Sequence, residues 1–269
     1  MGKAVEIDLS KKIGDVYKLR VIDDVFFEVW ADDVGVCEEM LRVILGDKSL
    51  TVLDVVAQSS ERNLYGRSVR LDVLCKLGSG VMCNIEVQRS NNDNHLKRMR
   101  LNESIITARH VEKSSKFRDV PDLYVIYISE FDNFNKGHAL YNIDKVVRQT
   151  GQKVDDGVHE ICVNTEIKDG SKVSGMLRHF NEEYFYDPEY PKMSERMRFL
   201  KKTERGLESM CAIMQKYENE VRESDLENVV KYLLTQNPLM QRDEARSLAA
   251  VILNGEYAER NTSSEPASF

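Results

Sequence analysis

The stretch RLDVLCKLGSGVMCNIEVQ, residues 70–88, constrains this chain more than any other. Apolar residues alternate with period two on either side of Gly78-Ser79-Gly80. That is the pattern of an antiparallel hairpin with one buried face. With the turn at those three residues, Leu77 faces Val81 and every other pairing follows. One face, from Leu71 and Val73 to Ile85 and Val87, is wholly apolar. The other sets Arg70 across from Gln88, Asp72 across from Glu86, Leu74 across from Asn84 and Lys76 across from Met82.

Two ionised carboxylates at the cross-strand spacing of about 5 Å repel by roughly 3 kcal/mol at an effective dielectric near 20. That is about two pKa units, and a sheet shaped for stability alone avoids it. Either Asp72 or Glu86 keeps a proton, or a cation sits between them, or the face is solvated and the acids splay apart. Carboxylate oxygens are what Mg²⁺ takes, with waters and a substrate phosphate completing its octahedron. The hairpin by itself leaves these alternatives open.

The remaining chain narrows the class. Its 269 residues suffice for one large core, or a core with a helical appendage. With 42% hydrophobic and 31% charged residues, it has the composition of a folded protein. No apolar run approaches the roughly 20 residues that span a bilayer, and the first residues lack a secretory signal's apolar stretch. A cytoplasmic protein without membrane contact is expected. Five cysteines without a CxxC spacing point away from zinc ribbons and disulfide scaffolds, so Cys75 and Cys83 are expected as packed thiols. A net charge of −7 argues against a surface basic all over but allows a local nucleic-acid groove.

Along the chain, Asp23 or Asp24 can cap a short helix. Cys37, Met40, Leu41, Ile44 and Leu45 share one helical face, stopped by Gly46. TVLDVVAQ reads as a strand, residues 64–88 as the hairpin, and His95 to about Val111 as a helix. DLYVIYIS, residues 122–129, reads as a strand covered on both faces. HALYNI and HEICVNTE are further strands, with a turn at residues 155–157. After about residue 192 the texture becomes helical, broken at Asn237-Pro238. The expected division is an N-terminal segment 1–19, a core 20–191, a helical extension 192–255 and a disordered tail 256–269. The charges of residues 181–183 and 195–205 read as solvated surface.

These pieces, in order, resemble the PD-(D/E)XK nuclease superfamily. The nearest branch is that of the PD-(D/E)XK nuclease family transposases, or recombination-promoting (Rpn) nucleases. DDVFFEVW resembles the branch's opening helix, RLDVLCKLGSGVMCNIEVQ its Arg-x-Asp-Val hairpin ending in Ile-Glu-x-Gln, and KRMRLNES its Arg-bearing helix. DVPDLYVIYISEFDNF, DDGVHEICVN and KKTERGLESMC are similar to later pieces, so the resemblance spans roughly residues 20–215. It implies an α/β restriction-endonuclease-like core, a mixed central sheet flanked by helices, with a helical C-terminal extension. It also implies a metal-dependent DNA endonuclease with a role in transposition or recombination. Asp72 and Glu86 would hold Mg²⁺ or Mn²⁺ as catalytic ligands. Gln88 stands where most of the superfamily has lysine; it carries no charge but can orient a water or a phosphate oxygen. Leu71 stands where the family's name has proline. Arg70, across from Gln88, could supply charge, and Glu28 could be an upstream acid.

Residues 89–118 carry a local excess of five positive charges. Arg89, Lys97, Arg98, Arg100 and Arg109 form the expected DNA-binding strip. Arg98 and Arg109 lie three helical turns apart on one face with Asn102. His95 is a candidate phosphate contact; the histidines otherwise read as surface or structural. The rival reading is a module on the same fold that binds DNA or protein and has little or no turnover. The C-terminal helices are a candidate homodimer interface.

Overall fold

The computed structural model describes residues 9–61, 69–91, 94–111 and 114–262. Of these, the side chains of residues 9–11, 58–61, 69–70 and 255–262 are not described. The first part of the hairpin segment (64–68), the end of the tail (263–269), and Asp93, Glu112 and Lys113 of the basic segment therefore lie outside the described residues. The chain divides into two compact units, 1–211 and 212–269.

Unit 1 opens with helices α1 (Leu9–Lys18), α2 (Asp24–Trp30) and α3 (Val34–Ile44). Asp33 caps α3 by accepting from the Val36 N–H, and the chain turns away at Gly46, whose φ is +68°. Asp23 takes the cap position of α2 but makes no capping bond. Its carboxylate turns instead to the Arg20 N–H and the Arg89 guanidinium, because an ion pair outweighs one neutral amide partner.

The sheet follows with β1 (Val52–Glu61), β2 (Val69–Leu77), β3 (Met82–Gln88), β4 (Leu123–Ser129), β5 (Leu140–Ile143) and β8 (Val158–Asn164). Two-residue strands β6 (Lys145–Val146) and β7 (Lys153–Val154) form a separate ribbon. Strand order is β1-β2-β3-β4-β8-β5. The β1–β2, β2–β3 and β5–β8 pairings are antiparallel; β3–β4 and β4–β8 are parallel. The parallel step from β3 to β4 is bridged by α4 (His95–His110), as a parallel crossover requires. The sheet is thus mixed and flanked by helices, the architecture that the resemblance implies.

The hairpin has the expected register from Val73 to Lys76; Asp72 and Glu86 fall outside the ladder, and Leu71, expected on the apolar face, clusters with Leu74 and Met99 on the α4 side. Val73 pairs with Ile85, Leu74 with Asn84, Cys75 with Cys83 and Lys76 with Met82. The turn closes through Leu77 N–H to Val81 O at 2.9 Å. Helices α2 and α3 lie on the wholly apolar side, where the Cys37 and Cys75 thiols meet. All five cysteines are free and buried. Around Asp72, Leu74, Asn84 and Glu86 the mostly polar side is not solvated: α4 covers it. Met99 and Ile106 of α4 pack with Leu74, Val125 and Tyr127, and Met82 joins them. Leu74 and Met82 are therefore the seat of a helix.

Short α5 (Lys172–Leu177) and α6 (Pro191–Lys202) complete the unit. One expectation fails here. Lys201, read as solvated, is 1% exposed. Its ammonium donates to the carbonyls of Tyr17, Leu19 and Glu183 and lies over the Phe26 ring. All three of its donors are used, which is what lets a lysine be buried at all.

Helix α7 (Glu204–Gln236) runs across the boundary between the units, and α8 (Arg242–Thr262) follows the break at Asn237-Pro238. Within unit 2, Val230, Ala245 and Ala249 are buried between these helices, with Leu226 and Leu233 packed beside them. Arg246 bridges Glu223 and Glu227 at 2.6 and 2.8 Å.

Candidate active site

The two acids of the hairpin face one another beneath α4. Asp72 is 8% exposed and Glu86 1%. The paired register runs from residues 76/82 to 73/85. At the next position the carboxylates replace backbone partners. The Val87 N–H donates to Asp72 Oδ2 at 2.9 Å, and the Asp72 N–H donates to Glu86 Oε1 at 3.3 Å. Each acid is thus fastened to the strand that carries the other. Asn84, also buried, donates its amide to Glu86 Oε1 at 3.0 Å and to the Val73 carbonyl at 3.2 Å.

Burial, and then the neighbouring Glu86 charge, pushes the Asp72 carboxyl well above the usual carboxylate range. Burial raises Glu86 too, opposed by the Arg98 charge and the Asn84 amide. The solvated alternative is excluded: the acids neither splay nor meet water freely. A proton on one of the acids or a cation beside them is what remains, and the Arg98 guanidinium already supplies one positive charge at Glu86.

Arg98, from the first turns of α4, closes the site. Its Nη2 lies 3.1 Å from Glu86 Oε2 and its Nη1 donates to Gln88 Oε1 at 3.2 Å. Gln88 is held from its other end, where Nε2 donates to the Ser90 carbonyl and hydroxyl. The sequence placed Arg98 on a DNA-tracking strip. The structure brings it to Glu86. Tyr127 lies beside Glu86 in the sheet and its hydroxyl meets His95 Nδ1. His95 is buried against Phe131.

The other candidates spread out. Arg89 sits at the exit of β3 between Asp23 (2.6 Å) and Glu130 (3.2 Å), and Arg20 reaches Glu130 at 2.8 Å. Lys97, Arg100 and Arg109 are exposed along α4. Glu28 is buried within α2. The Arg70 side chain lies outside the described residues, while its backbone pairs with Ser60. Asp24, read as a cap, opens α2, and its charge bears on the Asp72 carboxyl.

Among the described residues, no three His, Cys, Asp or Glu side chains gather as a metal cage. Mg²⁺ does not need one: it is commonly held by one or two carboxylates plus waters and substrate oxygens. Asp72 and Glu86 fit that demand. Asn84 Oδ1, a buried oxygen with no hydrogen-bond partner among the described residues, lies on the same sheet face.

Residues 39–165, which hold the hairpin and α4, match the family model described as PD-(D/E)XK nuclease family transposase. The match bears out the resemblance and, with the mixed sheet, the restriction-endonuclease-like fold. Nucleases of this kind generally use divalent metal ions. No curated protein and no solved structure matches the chain. No described helix is long and apolar enough to cross a membrane.

Proposed function

We propose that this chain, with the PD-(D/E)XK nuclease family transposase match over residues 39–165 as premise, is a Mg²⁺-dependent DNA endonuclease acting in transposition or recombination. The observation that carries the proposal is the buried, mutually fastened pair Asp72 and Glu86. Such a pair is costly without a cation and useful with one.

Asp72 and Glu86 would hold the ion. When bound, it supplies Lewis-acid polarisation of the scissile phosphate and activates the attacking water. The reaction is hydrolysis: water oxygen bonds to phosphorus and releases a proton to solvent, one phosphorus–oxygen ester bond breaks, and the leaving oxygen takes a proton from solvent. Gln88 cannot act as a base; its amide orients a water, a phosphate oxygen or the Arg98 guanidinium. Lys97, Arg100 and Arg109 give the exposed side of α4 the charge to track a phosphate backbone. The low exposure of both acids strengthens every electrostatic contact they make.

Nicking of supercoiled plasmid by the purified full chain, with Mg²⁺ or Mn²⁺, tests this. Wild type should nick only with metal, and Asp72→Asn should not. No nicking by either while DNA is still bound would hand the fold to the binding-module reading; equal nicking by both would take the chemistry away from Asp72.

A further inference from the structure

We infer that Arg98 works in two positions. It is the counter-ion of Glu86 when no metal is bound, and the phosphate-facing cation of the site once a divalent ion takes over the carboxylate. This rests on the nuclease reading and deepens it, by naming the residue that supplies the fixed positive charge.

Hydrolysis of a phosphodiester builds negative charge on the phosphoryl oxygens, and the acids and amide of this site offer none of the opposite sign. Gln88 is neutral. Arg89 is already shared between Asp23 and Glu130. Lys97 and Arg100 are exposed on α4. Arg98 is bonded to Glu86, with its guanidinium on Oε2 at 3.1 Å.

The bonding of Gln88 gives Arg98 a second hold. Because Gln88 Nε2 is committed to the Ser90 carbonyl and hydroxyl, its Oε1 is presented to Arg98 Nη1. A guanidinium that loses Glu86 therefore keeps one anchor at the edge of the site. Its side chain is 41% exposed, against 1% for Glu86 beneath it. It can swing outward while the carboxylate cannot follow. A planar fork of donors suits two phosphate oxygens at once.

A divalent ion on Glu86 and the Arg98 contact with Glu86 Oε2 compete for one oxygen. A competing internal cation lowers apparent metal affinity by the fraction of molecules left competent. Removing Arg98 should therefore tighten metal binding while weakening turnover. A residue that merely holds the fold would not produce that opposed pair of effects.

The test compares wild type, Arg98→Gln, Arg98→Lys and Asp72→Asn as full chains. Two readouts are taken: plasmid nicking with Mn²⁺, and the Mn²⁺ concentration at half-maximal thermal stabilisation without DNA. Arg98→Gln should nick about 100-fold more slowly, the scale of losing one charge-stabilising donor. It should also need several-fold less Mn²⁺. Arg98→Lys keeps the charge and guards against a folding failure; it should fall between Arg98→Gln and wild type in nicking. Full nicking by Arg98→Gln, an unchanged Mn²⁺ requirement, or wild-type nicking by Arg98→Lys overturns the inference while leaving the metal site intact. Wild type that does not cut, or Asp72→Asn that cuts equally well, sinks the nuclease reading and this inference with it.

Discussion

The backbone N–H of Asp72 donates to the carboxylate of Glu86 at 3.3 Å, so the two acids of the hairpin are joined through the strand rather than merely opposed across it. Neither can rotate away to relieve the other without giving up a buried hydrogen bond. The repulsion between them is built in.

In metal-free protein, Asp72→Asn should stabilise the fold. Burial and Glu86 hold the Asp72 pKa well above its unfolded value. A proton is then bound more tightly in the native state. The stabilisation this gives is complete below the unfolded pKa and is lost as pH rises through the raised native one. Urea titration in EDTA should therefore show wild-type stability falling with rising pH across that window. The Asn variant should fall less and be the more stable of the two at its upper end. A less stable Asn variant at high pH would contradict this.

Lys201→Met should cost about 3 kcal/mol or more. The carbonyls of Tyr17, Leu19 and Glu183 lose their shared donor in a place water does not reach. Chemical denaturation of the full chain measures it, and a loss under about 1 kcal/mol would show that other donors take over.

Asp132 organises the loop after β4. It accepts from the N–H groups of Phe134, Lys136 and Gly137 and from the Tyr141 hydroxyl. Those bonds outweigh its partial desolvation and lower its pKa to about 2. The stability it contributes is present above the unfolded value near 3.8 and lost as pH falls through about 2. Discounted for a partly exposed group, Asp132→Asn should cost about 1 kcal/mol at pH 7. The gap to wild type should close towards pH 2; a gap unchanged between pH 7 and pH 2 would rule this out.

The hairpin was legible because its period of two fixes both register and face from the sequence alone. The central strand at residues 122–129 was legible for a similar reason, a long, unmixed apolar run. The place of Arg98 was not. Helical spacing groups it with Arg109 and Asn102 but does not say what lies under that face. The signal that could have found it was Leu74 with Met82, two apolar residues on an otherwise polar face. They imply a covering helix, and the next helix in the chain carries Arg98. Lys201 was misread because a charged run gives no hint of three distant carbonyls converging on one member. Strands β6 and β7, two residues each, are too short to leave a pattern.

The central claim is that Asp72 and Glu86 jointly hold a divalent cation, and Mn²⁺ binding followed by electron paramagnetic resonance tests it most directly. Titration of the metal-free full chain should show saturable binding that falls at least tenfold in affinity in both Asp72→Asn and Glu86→Gln, with Asp132→Asn as an unaffected control. Binding of equal strength in wild type and both acid variants would mean that the metal, and the chemistry assigned to it, lies somewhere else.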